Sequence, residues 1–260
     1  MTTVTERPWV QEMIIVHRVF RRESRLLPAL IRACAPGDSG RARVIADMLR
    51  EYTKGLHQHH TSEDELLWPK LLARVDLDAE LVLRMEQQHE IVAGGLHAVE
   101  HHLAAWEPAA DPVAGAALAD AIVRHRGDLL THLDEEERSV LPLITAYITP
   151  AEWAELGEHA RAKTPKNKQL FMLGALLEEA TPDETARFLA MLPVLARVAY
   201  HLIGRRAYAK QMRAVRAGLI SAGRRPPGRA GRFPAAAAGS PGGASGPSGS
   251  RTSARSSGRG

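Results

Sequence analysis

The chain has 260 residues, 34 Lys and Arg against 30 Asp and Glu, and a single cysteine, Cys34. That length allows one large domain or a domain with an appendage, and one cysteine excludes an internal disulfide, in keeping with a cytoplasmic location. The start of the chain is polar through Arg7 and no uncharged run approaches the roughly 20 residues of a membrane span, so neither a signal peptide nor a membrane partner is expected.

The composition, rich in Ala, Leu, Arg and Glu and only 5% aromatic, favours helices. Four long amphipathic segments come first, and their patterning predicts helices over 8–34, 41–74, 78–106 and 113–147. Pro36-Gly37-Asp38 separates the first two, and Glu107-Pro108 with Asp111-Pro112 separates the last two. Short connections between long helices imply antiparallel neighbours, so the fold class expected is all-α, an up-down-up-down four-helix bundle over residues 1–148. A helical extension over 149–218 follows. Thr149-Pro150-Ala151-Glu152 and Thr181-Pro182-Asp183-Glu184 each read as a helix start with a Thr cap, a Pro and a reciprocal Glu. The tail, 219–260, is rich in Gly, Ser, Pro and Arg and is expected to be disordered. Seven arginines and no acid follow Ala222, so the rest of the chain is slightly acidic and nucleic acid is not an expected partner.

In the second segment one face reads Ile45, Leu49, Tyr52, Leu56, His59, Glu63, Leu66; in the fourth it reads Leu118, Ile122, His125, Leu129, His132, Glu136. Matching positions from Ile45 to Glu63 lie 73 residues before their counterparts, as does Pro69 before Pro142, which points to a repeated helical hairpin. The first segment carries Met13, His17, Phe20, Ser24, Leu27, Ile31, and the third Met85, His89, Val92, Leu96, Val99, Leu103. At about 1.5 Å per residue, His17, His59, His89 and His132 all lie roughly 14–21 Å from the same end of an antiparallel bundle.

Each helix thus sets polar groups into its apolar stripe at one depth. Two buried carboxylates, each one turn from an imidazole, would repel one another with nothing between them, whereas bound cations turn that cost into binding energy. Imidazole and carboxylate donors suit iron, manganese or zinc, and no cysteine is placed to help. The arrangement that uses every group is two metals, with Glu63 and Glu136 bridging and His17, His59, His89 and His132 as terminal ligands. His60 is a possible replacement for His59. For Tyr52 and His125, about 10 Å below that layer, core packing is the first expectation and a supporting or proton-delivery role the second.

These residues carry a resemblance. His17 in Val-His-Arg-Val-Phe, His59 through Pro69, His89 in Glu86-Gln87-Gln88-His89-Glu90, and His132 through Pro142 resemble the hemerythrin-like, or HHE cation-binding, family over roughly residues 10–147. The resemblance implies that His17, His59, Glu63, His89, His132 and Glu136 bind two oxo- or hydroxo-bridged non-haem iron ions, ahead of manganese or zinc. It also implies a small ligand: O2, H2O2 or NO. Two departures from the oxygen-carrying pattern stand out. The position one turn after His89 is Ala93 rather than a second His, and Glu136 sits one residue closer to His132. Fewer protein ligands favour redox chemistry, such as catalase-like peroxide turnover, over reversible oxygen carriage. The alternatives are a non-catalytic iron or oxygen sensor, whose C-terminal helices transmit the metal state, and a structural zinc or metal-free bundle.

Overall fold

The computed structural model describes residues 7–75 and 79–222, and within them the chain is helical. Helices α1 (Gln11–Arg32), α2 (Ser39–Leu66), α4 (Ala79–Trp106) and α5 (Pro112–Glu135) form the bundle, with a short α3 (Trp68–Leu72) after α2. Helix α5 packs on α1 and α4, and α2 packs on the same two from the other side, closing an up-down-up-down ring. Asp38 and Asp111 cap α2 and α5 by accepting from the backbone N–H groups of Arg41 and Ala114. The four seams meet in the middle: all seam residues read from α1, α4 and α5 are buried.

The second and fourth segments each break where one continuous helix was expected. Helix α2 stops at Leu66 and resumes as α3; α5 passes through a π-helical turn, Glu136–Val140, into α6 (Leu141–Tyr147). Pro69 and Pro142 supply the reason. Each lacks the N–H that would continue the ladder, and its ring crowds the preceding turn. In the second case Leu141 N–H reaches back to the carbonyl of Glu136, widening the turn directly below that side chain.

Both Thr capping boxes form, opening α7 (Pro150–Lys163) and α9 (Pro182–Met191). Helix α7 lies on α2, while α8 (Lys166–Glu179) lies on α1 and on α11 (Arg205–Ala222). Between α9 and α11 come α10 (Val194–Ala199) and a second π-helical turn, Tyr200–Gly204. A buried ionic cluster clips α8 to α1: the Arg22 guanidinium donates to Glu23, Glu178 and Glu179 at 2.8 Å each. Gly174 makes the approach of α11 possible, since a Cβ there would stand 2.6 Å from the ring of Tyr208. Helix α11 runs to Ala222; the rest of the tail expected to be disordered lies outside the described residues. No described helix is long and apolar enough to cross a membrane.

Candidate metal centre

The helical period places His17 on α1, His59 and Glu63 on α2, His89 on α4 and His132 on α5, with Glu136 at the head of the π-helical turn. The structure brings all six together at one depth of the bundle. His17, Glu63, His132 and Glu136 are fully buried, His89 nearly so, and His59 keeps 11% exposure. A seventh group joins them. His60, one residue off the α2 seam, turns inward and stacks on His89, with ring centroids 4.0 Å apart.

Donor atoms line a shared gap, and most do not satisfy one another; the exception is His17 Nε2 and His59 Nε2, 3.2 Å apart. His17 Nε2 stands 3.3 Å from Glu136 Oε2, His59 Nε2 3.5 Å from Glu63 Oε1, His89 Nε2 3.6 Å from Glu63 Oε2, and His132 Nε2 3.5 Å from Glu136 Oε2. Both oxygens of both carboxylates, and Nε2 of His60, His89 and His132, are buried with no hydrogen-bond partner. So many orphaned polar atoms in one interior are costly unless something positive sits among them. Donors about 2.0–2.2 Å from one cation lie roughly 3.0–3.4 Å from each other, close to the separations seen here. The His/Glu cluster fits a metal site.

The donors sort into two triads, His17 with His59 and Glu136, and His60 with His89 and His132, while Glu63 groups with His59 and His60. Each carboxylate therefore reaches across: Glu63 faces His59 of one triad and His89 of the other, and Glu136 faces His17 and His132.

The outer nitrogens are held as metal-binding imidazoles require. His17 Nδ1 lies 2.9 Å from Glu137 Oε1, His89 Nδ1 2.7 Å from Asp64 Oδ1, and His132 Nδ1 3.2 Å from Gln88 Oε1. Facing oxygens accept from Nδ1 and leave Nε2 as the atom each ring turns toward the gap. Gln88 is fixed in turn because its Nε2 donates to Glu135 at 2.7 Å.

Burial pushes both carboxyls toward their neutral forms. At Glu63 the negative charges of Glu136 and Asp64 add to burial, and the group is held well above the usual carboxylate range. At Glu136 burial is overcome by the attraction of the facing His17, His132 and His59 imidazoles, which holds it below the ordinary carboxylate range. Burial and the neighbouring imidazoles push His59 and His60 well below the ordinary histidine value, so both rings are neutral. A proton on Glu63 thus stands where a cation would, and cation binding would release it.

One turn and more below, Tyr52 and His125 meet through a 2.7 Å hydrogen bond between the phenol oxygen and Nε2. Gly95 gives His125 its room, since a Cβ there would lie 2.9 Å from Nδ1. The bond satisfies Tyr52 Oη and His125 Nε2 within the core, while His125 Nδ1 is buried without a hydrogen-bond partner. His60, expected only as a replacement for His59, stands beside it. Its only signal in the sequence is adjacency to His59, and a helix turns neighbours by about 100°, so one of the two ordinarily faces away. Here α2 sits at the join of two packing faces and both rings turn in.

In comparisons with known proteins, the family model described as the hemerythrin HHE cation binding domain matches residues 10–144. No curated protein and no solved structure matches the chain. The matched span covers the four bundle helices and every donor described above, and on that ground the chain belongs to the hemerythrin HHE cation-binding domain family.

Proposed function

We propose that the cage holds two iron ions and that the protein reacts with a small oxidant or diatomic ligand, namely peroxide, O2 or NO, with catalase-like peroxide turnover as the leading activity. The observation that carries the two-ion reading is the way Glu63 and Glu136 each face one imidazole of either triad. His17, His59, His60, His89 and His132 would hold the ions through imidazole nitrogens, and Glu63 and Glu136 through carboxylate oxygens. Iron bound there supplies Lewis acidity and a one- or two-electron redox reservoir.

The protein's own part is to hold and shield. Asp64, Gln88 and Glu137 fix the three rings they touch, so the donors are oriented before any ligand arrives. Leu56, Val92 and Leu129 wall the layer beneath and exclude water from it.

A second reading, a non-catalytic iron or oxygen sensor, is supported by the Arg22 cluster. It ties α1, which bears His17, to α8, and through Glu178 to α11. Metal content, the oxidised absorption spectrum and peroxide turnover of the purified protein test both readings. About two irons per chain, a near-ultraviolet band lost in Glu63→Ala, and peroxide turnover support the first. Iron-dependent stabilisation without turnover supports the second. Absence of bound iron after loading overturns both.

A further inference from the structure

The surface made by the end of α9, by α10 and by the second π-helical turn is unlike the rest of the described exterior. Met191, Val194, Leu195, Val198, Leu202 and Ile203 are exposed by 46–80%, whereas the other large exposed apolar side chains are scattered singly. Six such residues within thirteen positions are more than a monomeric surface ordinarily shows. The charge beside them is of one sign. Arg205, Arg206, Lys210 and Arg213 are exposed and line an open cleft with His201. Among the described residues none of the four forms an ion pair. No Asp or Glu occurs from Thr185 to the end of the sequence, over which there are fourteen Lys and Arg.

We propose that this surface docks on an anionic lipid bilayer, with the aliphatic side chains entering the headgroup region and Arg205, Arg206 and Lys210 pairing with lipid phosphates. Several occupants meet an exposed apolar face, and the chemistry here selects among them. A second copy would bring the same positive charge to the contact. A nucleic acid would satisfy the arginines but leave Leu195 and Leu202 in water, since aliphatic side chains offer no stacking face to a base. A partner helix is usually received in a groove with pockets for its anchors, yet Leu195 at 80% exposure stands out from the surface. A fluid, negatively charged interface accepts protruding aliphatic groups without a matching pocket and supplies the missing anions. Docking of this kind lies on a membrane and needs no spanning helix. It is independent of what the His/Glu cage binds.

The test is flotation of the full-length protein with phosphatidylglycerol–phosphatidylcholine vesicles and with phosphatidylcholine vesicles alone. Flotation with the first, loss with the second and weakening by salt are expected. The Leu195→Glu/Leu202→Glu variant, substituted at exposed positions, should keep the parent's helical circular dichroism and lose roughly tenfold or more of its vesicle affinity. Arg205→Ser/Arg206→Ser should also weaken binding and flatten its salt dependence. The proposal is overturned if anionic vesicles fail to bind, or if the double Leu variant floats like the parent, which would leave only the arginine-rich tail acting. Preference for polyuridine RNA over vesicles, or self-association that the Leu substitutions abolish without any vesicle binding, would equally overturn it.

Discussion

The imidazoles of His60 and His89 lie face to face, their planes 7° from parallel and their centroids 4.0 Å apart. Two charged rings would not rest that way, and burial keeps the His60 ring neutral. Each has a buried Nε2 with nothing to bond. The stack is therefore a pair of aligned lone-pair donors. Replacing His60 by Leu preserves the apolar volume and removes one donor. Metal affinity is expected to fall at least as far as the roughly 10–100-fold that loss of an outer-shell partner causes. Competition with a chromophoric chelator measures it; unchanged affinity and stoichiometry would show that His60 only packs.

Glu63→Gln is expected to act with opposite sign on the two forms of the protein. Without metal, the substitution replaces a desolvated carboxyl beside Glu136 with a neutral isostere. It should raise stability at neutral pH by about 1–3 kcal/mol, roughly 2–4 °C in melting temperature per kcal/mol. With metal, the same change removes a shared anionic donor and lowers stability. Thermal melts with and without chelator read both effects, and destabilisation of the metal-free form would mean that Glu63 is satisfied in some other way.

Asp64 touches none of the carboxylates, yet its oxygen 2.7 Å from His89 Nδ1 fixes that ring. Asp64→Asn presents an amide that can rotate its NH2 toward Nδ1 and so favour the wrong tautomer. Metal affinity should fall by roughly 10–100-fold while the metal-free melting temperature moves little. A variant that binds metal as tightly as the parent would remove Asp64 from the design.

His125 gives a pH signature away from the cage. Burial holds it at about 4, well below the ordinary histidine value, although Asp128 acts in the other direction. The folded state keeps this ring neutral while the unfolded chain protonates it near 6.5. Between about pH 6.5 and 4 the unfolded state therefore binds more protons, and stability is lost as pH falls through that window. The gap corresponds to about 3 kcal/mol. His125→Gln should flatten the slope of stability against pH over that range relative to the parent. Parallel slopes for the two proteins would show that His125 does not contribute.

Arg22 is the hinge pin of the ionic cluster under α8, only 9% exposed and bonded to three carboxylates. Arg22→Ala leaves Glu23 buried without its counter-charge and should cost about 3–5 kcal/mol. Adding Glu23→Gln should recover part of that loss. Denaturant melts of the single and double variants decide it, and strict additivity would mean that the two side chains are uncoupled.

Much of the site was legible because its physics is one-dimensional. The steps of three and four from Ile45 to Glu63 and from Leu118 to Glu136 define helix faces before any fold is known, and Met13, His17, Met85 and His89 sit on the expected seams. Helix ends at Asp38, Asp111, Thr149 and Thr181 followed from side chains that satisfy their own backbone. What escaped depends on packing. The inward turn of His60 follows from the faces α2 shares with its neighbours. The π-helical turn under Glu136 arises where Pro142 interrupts a ladder that periodicity alone continues. The bond between Tyr52 and His125 joins two positions that seam reasoning had paired by number and read first as packing.

Every donor atom of the cage comes from residues up to Glu136, and the orienting oxygens from residues up to Glu137. Changes in the C-terminal helices can therefore reach the cage only through packing, where Ala175, Tyr208, Met212 and Val215 join the bundle core and where Leu173, Phe188 and Tyr200 meet Ile15.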